Sequence, residues 1–134
     1  MLHYIGIVDG SGDVWGVRFP DLIGCHGGGN TVSEAIADAA SAAREWAEHR
    51  ASKKLEMPKP RSAAELLSSE EFSPADGEVP VLIPVLIDQG RPVKANLSID
   101  AGLLEAIDKA AAMRGLTRSA FIASAAREKI VQEA

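Results

Sequence analysis

Pro92-Val93-Lys94-Ala95-Asn96-Leu97-Ser98-Ile99-Asp100, in the last third of this 134-residue chain, decides how the rest is read. The alternation of Val93 to Ile99 suits an extended strand. Period-2 geometry sends Ala95, Leu97 and Ile99 to one face and Lys94, Asn96 and Ser98 to the other. A lone strand leaves its backbone N–H and C=O groups without partners, so this one requires a second strand from elsewhere.

Beyond Ile99 the pattern turns helical. Asp100 is placed to cap a helix on which Leu103, Leu104, Ile107, Ala110 and Ala111 recur at helical spacing, and Arg114-Gly115 supplies the stop. Thr117 then caps a second helix with Phe121, Ile122, Ala125, Ala126 and Ile130 on one stripe and Arg118, Arg127 and Lys129 outside it. Helices of this length cannot close a core around one strand, which predicts a second copy and a two-stranded antiparallel ribbon. That order is the ribbon-helix-helix arrangement, in which a ribbon enters the DNA major groove. Lys94, Asn96 and Ser98 would then face base edges. Thr117, Arg118 and Ser119, at a helix start with free N–H groups, would seat phosphate. The competing reading is a strand–helix–helix fragment of a larger domain with a merely solvated polar face. The ribbon is favoured because the fragment comes last in the chain, with nothing after it to pack on.

Charge supports the division. Residues 91–134 hold seven Lys/Arg against five Asp/Glu, and residues 1–90 hold seven against fourteen, so the balance is +2 in the C-terminal part and −7 before it. Dimerisation doubles the basic contribution on one face, the footprint expected of a small operator-binding module. The acidic part repels DNA and suits a basic protein partner, or is simply a solvated acidic surface. A hydrophobic content of 46% places the chain among globular proteins with room for one ordinary domain and a small one. Cys25 is the single cysteine, which excludes an intrachain disulfide. With no basic n-region at Met1-Leu2-His3, a cytoplasmic location is expected. The longest apolar run, Val79 to Ile87, has nine residues including two prolines and is too short for a bilayer.

The first sixty residues read as a separate unit. Leu2 to Val8 is a strand, Asp9-Gly10-Ser11-Gly12-Asp13 a hairpin turn, and Val14 to Phe19 the return strand, ended by Pro20. Leu22 to His26 predicts a third strand before a flexible Gly27-Gly28-Gly29-Asn30 turn. Thr31-Val32-Ser33-Glu34 is a capping box, contributing about 1 kcal/mol. It opens a helix whose inner face is Val32, Ala35, Ile36, Ala39, Ala40, Ala43, Trp46 and Ala47. Those alanines allow close approach to a sheet. Pro58-Lys59-Pro60 marks an extended crossing, Ser62-Ala63-Ala64-Glu65 caps a short helical stretch through Leu67, and Ser68 to Glu78 reads as a loop or partly mobile segment. Val79 to Ile87 is a strand whose prolines favour a sheet edge. Asp88-Gln89-Gly90-Arg91-Pro92 is the expected hinge to the C-terminal module. The fold class is therefore α+β, with β-β-β-α-β upstream of the ribbon-helix-helix module.

Phe19-Pro20-Asp21-Leu22-Ile23-Gly24-Cys25-His26, followed by Gly29-Asn30-Thr31, Glu34-Ala35, Ala39 and Pro58-Lys59-Pro60, closely resembles the HicB antitoxin family. Leu116-Thr117-Arg118-Ser119-Ala120-Phe121 through Ala126-Arg127-Glu128-Lys129-Ile130 is similar to its ribbon-helix-helix branch. The resemblance covers almost the whole chain and is weakest from Arg61 to Glu78. It implies a partial RNase H-like domain over residues 1–88, with 61–78 a variable loop, and a DNA-binding domain over residues 89–134. It further implies a type II antitoxin that binds a small basic HicA-type toxin, an mRNA-cleaving ribonuclease, and represses its own operon on double-stranded operator DNA as a homodimer or higher even oligomer. By motif, the toxin-facing surface involves Phe19, Pro20, Asp21, Leu22, Gly24 and Cys25 together with the start of the following helix. Phe19 and Leu22 read equally well as core residues, and for Phe19 the core is favoured.

An RNase H-like fold also raises a metal-dependent nuclease, which needs carboxylates gathered around divalent ions. Asp9 and Asp13 lie in a turn, Asp21 after a strand and Glu34 in a capping box, so each has an ordinary structural role. Asp9-Ser11-Asp13 resembles the start of a calcium loop, but Val14 and Pro20 stand where that loop requires glycine and glutamate. Cys25 and His26 are adjacent and point to opposite strand faces, a poor ligand pair. The Gly24-to-Thr31 passage lacks the lysine and hydroxyl of a phosphate loop, and there is no Gly-x-Ser-x-Gly elbow. No enzyme activity, catalytic residue, metal or cofactor is expected. A stand-alone regulator without a toxin is the milder alternative.

Overall fold

The computed structural model describes residues 2–87 and 92–132. The chain divides into two compact units, Met1–Asp88 and Gln89–Ile130. Of the expected hinge from Asp88 to Pro92, residues 88–91 lie outside the described residues.

The N-terminal unit is a four-stranded antiparallel sheet with helices. Strands β1 (Leu2–Ser11), β2 (Val14–Arg18) and β3 (His26–Gly29) precede helix α1 (Val32–Ser52), the short helix α2 (Ala63–Leu67), a 3₁₀ turn at Pro74–Asp76 and strand β4 (Val79–Val85). The sheet order is β3-β2-β1-β4. β1 runs past the expected Val8 because Ser11 still pairs with Val14, so the hairpin turn narrows to Gly12 and Asp13. Gly12 takes the positive φ such a turn requires.

Strand β4 is an edge strand, as its prolines require. Pro80 and Pro84 are two pleats apart and lie opposite Ile7 and His3. Residues of one parity turn their backbone groups toward β1 and those of the other toward open solvent, so both missing N–H groups fall on the free edge. Leu82 alone keeps an outward donor between them, which blunts this edge against strand addition.

The third strand differs from the expected one. Leu22 is not in a strand: Leu22 donates to the Phe19 carbonyl, Cys25 to that of Leu22, and Phe19 to that of Cys25, folding the segment into turns. Strand β3 is instead the glycine run, paired with β2 from Trp15↔Gly29 to Arg18↔His26. The reason is packing. A Cβ on Gly27 would lie 2.3 Å from the Ala39 backbone nitrogen, and one on Gly29 would lie 2.6 Å from the Glu34 Cβ. Missing side chains let α1 rest directly on the strand backbone. The capping box forms in part: Glu34 N–H donates to Thr31 Oγ1, while the Glu34 carboxylate accepts from Asn30 N–H, one residue before the cap.

Helix α1 buries Ala35, Ala39, Ala40, Ala43 and Ala47 on the sheet face that holds Tyr4, Val8, Val17, Ile83 and Val85. Pleat alternation sends Ile5 and Ile7 to the opposite face, and there the Arg61–Glu78 segment covers them with buried Leu66 and half-buried Phe72. The expected single-helix sandwich thus has a third layer. The stretch read as partly mobile is tied down: Arg18 Nη1 grips Glu78 at 2.7 Å, Arg18 Nη2 donates to the Glu71 carbonyl at 2.7 Å, and Ser73 N–H donates to Glu78 at 2.7 Å.

In the C-terminal unit, helix α3 (Ala101–Met113) and helix α4 (Arg118–Gln132) come after an extended segment. Asp100 caps α3 by accepting from Leu103 N–H, and Thr117 Oγ1 accepts from Ala120 N–H at the start of α4. At the end of α3, Leu116 N–H donates to the Ala111 carbonyl and Gly115 N–H to that of Ala112, with Gly115 left-handed. This is a Schellman stop. Val93 to Ile99 is not a strand in the single chain, because no neighbouring strand pairs with it.

Candidate functional site

The Phe19–Cys25 loop is built from the core outward. Phe19, Leu22 and Cys25, three of the expected contact residues, are buried and anchor the loop from the core. Burial pushes the Cys25 thiol up to about 11, which keeps it protonated and unreactive at neutral pH. Asp21 is also committed: its carboxylate accepts from Arg61 N–H at 2.9 Å and from Arg61 Nε at 2.6 Å. Nearby Tyr4 donates its hydroxyl to the Pro58 carbonyl; its pKa is raised, first by burial and then by the Asp21 charge.

What the loop offers outward is its crest. Ile23 is 86% exposed, beside Gly24 with φ +83° and half-buried Pro20. An exposed isoleucine on a loop closed by three backbone hydrogen bonds is a pre-shaped apolar knob. Trp46 Nε1 donates to the Ile23 carbonyl at 3.2 Å, and the Arg50 guanidinium lies 5.1 Å from the Trp46 ring centroid. Ile23 is the residue that sequence reasoning passed over. A strand over Leu22 to His26 puts Ile23 on the same face as Cys25, whereas the turns bury Cys25 and leave Ile23 outside.

The C-terminal unit has almost no interior of its own. Among its described apolar residues only Ala111 is buried, while Val93 is 87%, Leu97 63% and Met113 87% exposed. A cleft of about 550 Å³ is lined by Leu97, Ile99, Leu104 and Ile122 with Ala95, Ser98, Arg118 and Ser119. Lys94, Asn96 and Ser98 lie exposed on the extended segment, and Thr117 and Ser119 at the start of α4. Arg118, expected at phosphate, is paired within the single chain. Its Nε and Nη2 donate to the two Asp108 carboxylate oxygens at 2.9 and 2.8 Å, joining α4 to α3. That bond holds the Asp108 carboxyl below its usual range. The Arg114 guanidinium, 5.7 Å from the Phe121 ring centroid, adds a second link between these helices.

No group of three metal-capable side chains occurs among the described residues. Asp9 and Asp13 stay at the hairpin end while Asp21 is taken up by Arg61. No described helix is long and apolar enough to cross a membrane.

Residues 3–126 match the model of the HicB-like antitoxins of bacterial toxin–antitoxin systems. The crystal structure of the Burkholderia pseudomallei antitoxin HicB is 30% identical, with 97% of this chain and 97% of that chain covered at a TM-score of 0.55. The antitoxin HicB3 crystal structure is 28% identical over 97% of this chain and 98% of that one, also at 0.55. A chain of the HicA3 and HicB3 toxin–antitoxin complex shares the fold at 20% identity, covering 65% of this chain and 99% of that chain with a TM-score of 0.52. No curated protein matches the chain in sequence.

Proposed function

The chain belongs to the HicB-like antitoxin family of bacterial toxin–antitoxin systems, and on that premise we propose that it binds and neutralises a HicA-type mRNA-cleaving toxin and represses its own operon. The observation that carries this reading is the family match over residues 3–126, which takes in both compact units. In this reading residues 1–88 form a partial RNase H-like toxin-binding domain and residues 89–134 a ribbon-helix-helix domain, acting in the cytoplasm.

The toxin docks on the crest at Pro20, Ile23 and Gly24, with buried Phe19, Leu22 and Cys25 and ion-paired Asp21 shaping the loop beneath. The −7 balance of residues 1–90 favours a basic partner. The C-terminal unit pairs with a second copy: Val93–Ile99 of each chain supplies one strand of the ribbon, and the cleft beside Leu97 receives the partner's helices. Its exposed Val93, Leu97 and Leu103 support this. Lys94, Asn96 and Ser98 then face base edges, and Thr117 and Ser119 present hydroxyls and helix-start N–H groups to phosphate.

Co-expression with a HicA-type toxin tests the first half. Wild-type chain is expected to co-purify with the toxin, and Ile23→Arg to lose it while keeping its fold. Retention of the toxin by Ile23→Arg would remove the crest from the interface, and failure of the wild type to bind would leave a stand-alone regulator. For the second half, Asn96→Ala is expected to weaken operator binding by about 1–3 kcal/mol and relax sequence choice in gel-shift competition.

A further inference from the structure

The Arg61–Glu78 segment meets the Phe19–Cys25 loop at one residue. The Asp21 side chain, 7% exposed, lies between buried Phe19 and buried Leu22. Arg61 holds it twice, through its backbone N–H at 2.9 Å and through Nε at 2.6 Å, across 40 positions of sequence. The same guanidinium reaches Glu71 with Nη1, and Glu71 lies in the stretch that Arg18 pins through the Glu71 carbonyl and the Glu78 carboxylate. Fully buried Leu66 seats this strap against Ile5 and Ile7. The loop therefore has two tethers from outside itself: Arg61 at its base and the Trp46 indole at its crest.

We propose that Arg61 is a positioning residue for the docking loop, so that partner affinity depends on a strap distant in sequence from the crest it holds. The proposal rests on the reading of Ile23 as the toxin-docking crest. A loop held in its bound shape loses less conformational freedom on association, and freeing its base weakens binding without removing a contact. Arg61 is suited to this because its planar fork bonds two carboxylates at once, Asp21 on the loop and Glu71 on the strap.

The chain holds two tryptophans, so a Trp15→Phe parent leaves Trp46 as the sole reporter of the crest. In that parent, Arg61→Ala is expected to shift Trp46 emission to longer wavelength in the absence of any partner. It should also weaken calorimetric binding to the HicA-type toxin about tenfold, with Arg61→Lys, which keeps the charge but not the fork, recovering only part of both effects. Unchanged emission together with an affinity within about twofold of the parent would overturn the proposal. Should Arg61→Ala fail to fold by circular dichroism, Asp21→Asn replaces it, with the same two readouts and the same criteria. If the parent does not bind toxin, or Ile23→Arg binds like the parent, the docking reading falls. The emission then decides alone: a shift that Arg61→Lys partly reverses sustains the tether, and no shift removes it.

Discussion

Gly27 shows how much one missing methyl determines. An added Cβ would meet the Ala39 backbone nitrogen at 2.3 Å, and neither strand nor helix backbone yields as a flexible side chain does. Gly27→Ala is expected to destabilise the protein by about 1–3 kcal/mol in urea titration, whereas Gly16→Ala, whose methyl meets nothing closer than 3.4 Å, changes stability much less. The glycine run was readable as a place of unusual backbone freedom. Its use for close packing was not, because that depends on Ala39 of α1, twelve residues further on, crossing Gly27. Arg118 carries a similar lesson. Its charge at a helix start suggested phosphate, and Asp108 takes two of its five N–H donors, one from Nε and one from Nη2. Since that charge is already neutralised, Arg118→Ala is expected to leave the slope of log affinity against log salt unchanged. Lys94→Ala, removing an exposed ammonium, should lower the slope by about one. Fluorescence anisotropy across a salt series distinguishes them.

Among the elements, the strap from Arg61 to Glu78 departs furthest from its sequence pattern. Serines, acids, a proline and a glycine are loop composition, and the short capped helix ending at Leu67 was legible within it. What fixes the segment is long-range: Arg18 and Glu78 are 60 positions apart, Asp21 and Arg61 40. No local pattern reports such pairs. Leu66→Ala is expected to cost about 2–5 kcal/mol in urea titration, as for other fully buried leucines. The strap also carries a pH dependence. Arg18, by its hydrogen bond, and then the Ser73 N–H hold Glu78 below its ordinary pKa. A depressed carboxylate stabilises the fold while ionised, so this contribution is present at neutral pH. It fades as pH falls below about 4. Thermal melts of wild type and Glu78→Gln are therefore expected to differ at pH 7 and to converge near pH 3. Strand β4 is the contrasting case: its two prolines placed it at an edge from composition alone, because a missing N–H is a local property.

At the level of the whole molecule, the two units close their cores differently. The N-terminal one buries both faces of its sheet, whereas the C-terminal one leaves Val93, Leu97 and Leu103 exposed and buries only Ala111 among its described apolar residues. A unit of that kind is completed by association. Its melting temperature is expected to rise with protein concentration, and Leu97→Glu to abolish that rise and yield monomers in sedimentation analysis. The alternation of Val93 to Ile99 predicts a strand, and the single chain shows none there, because a ladder requires two strands. Neutralisation of a toxin is the central claim, and RNA cleavage by a HicA-type toxin tests it most directly. Added at equimolar ratio, the wild-type chain is predicted to stop cleavage, and Ile23→Arg to leave most of it. Undiminished cleavage in the presence of folded wild-type chain would contradict the account.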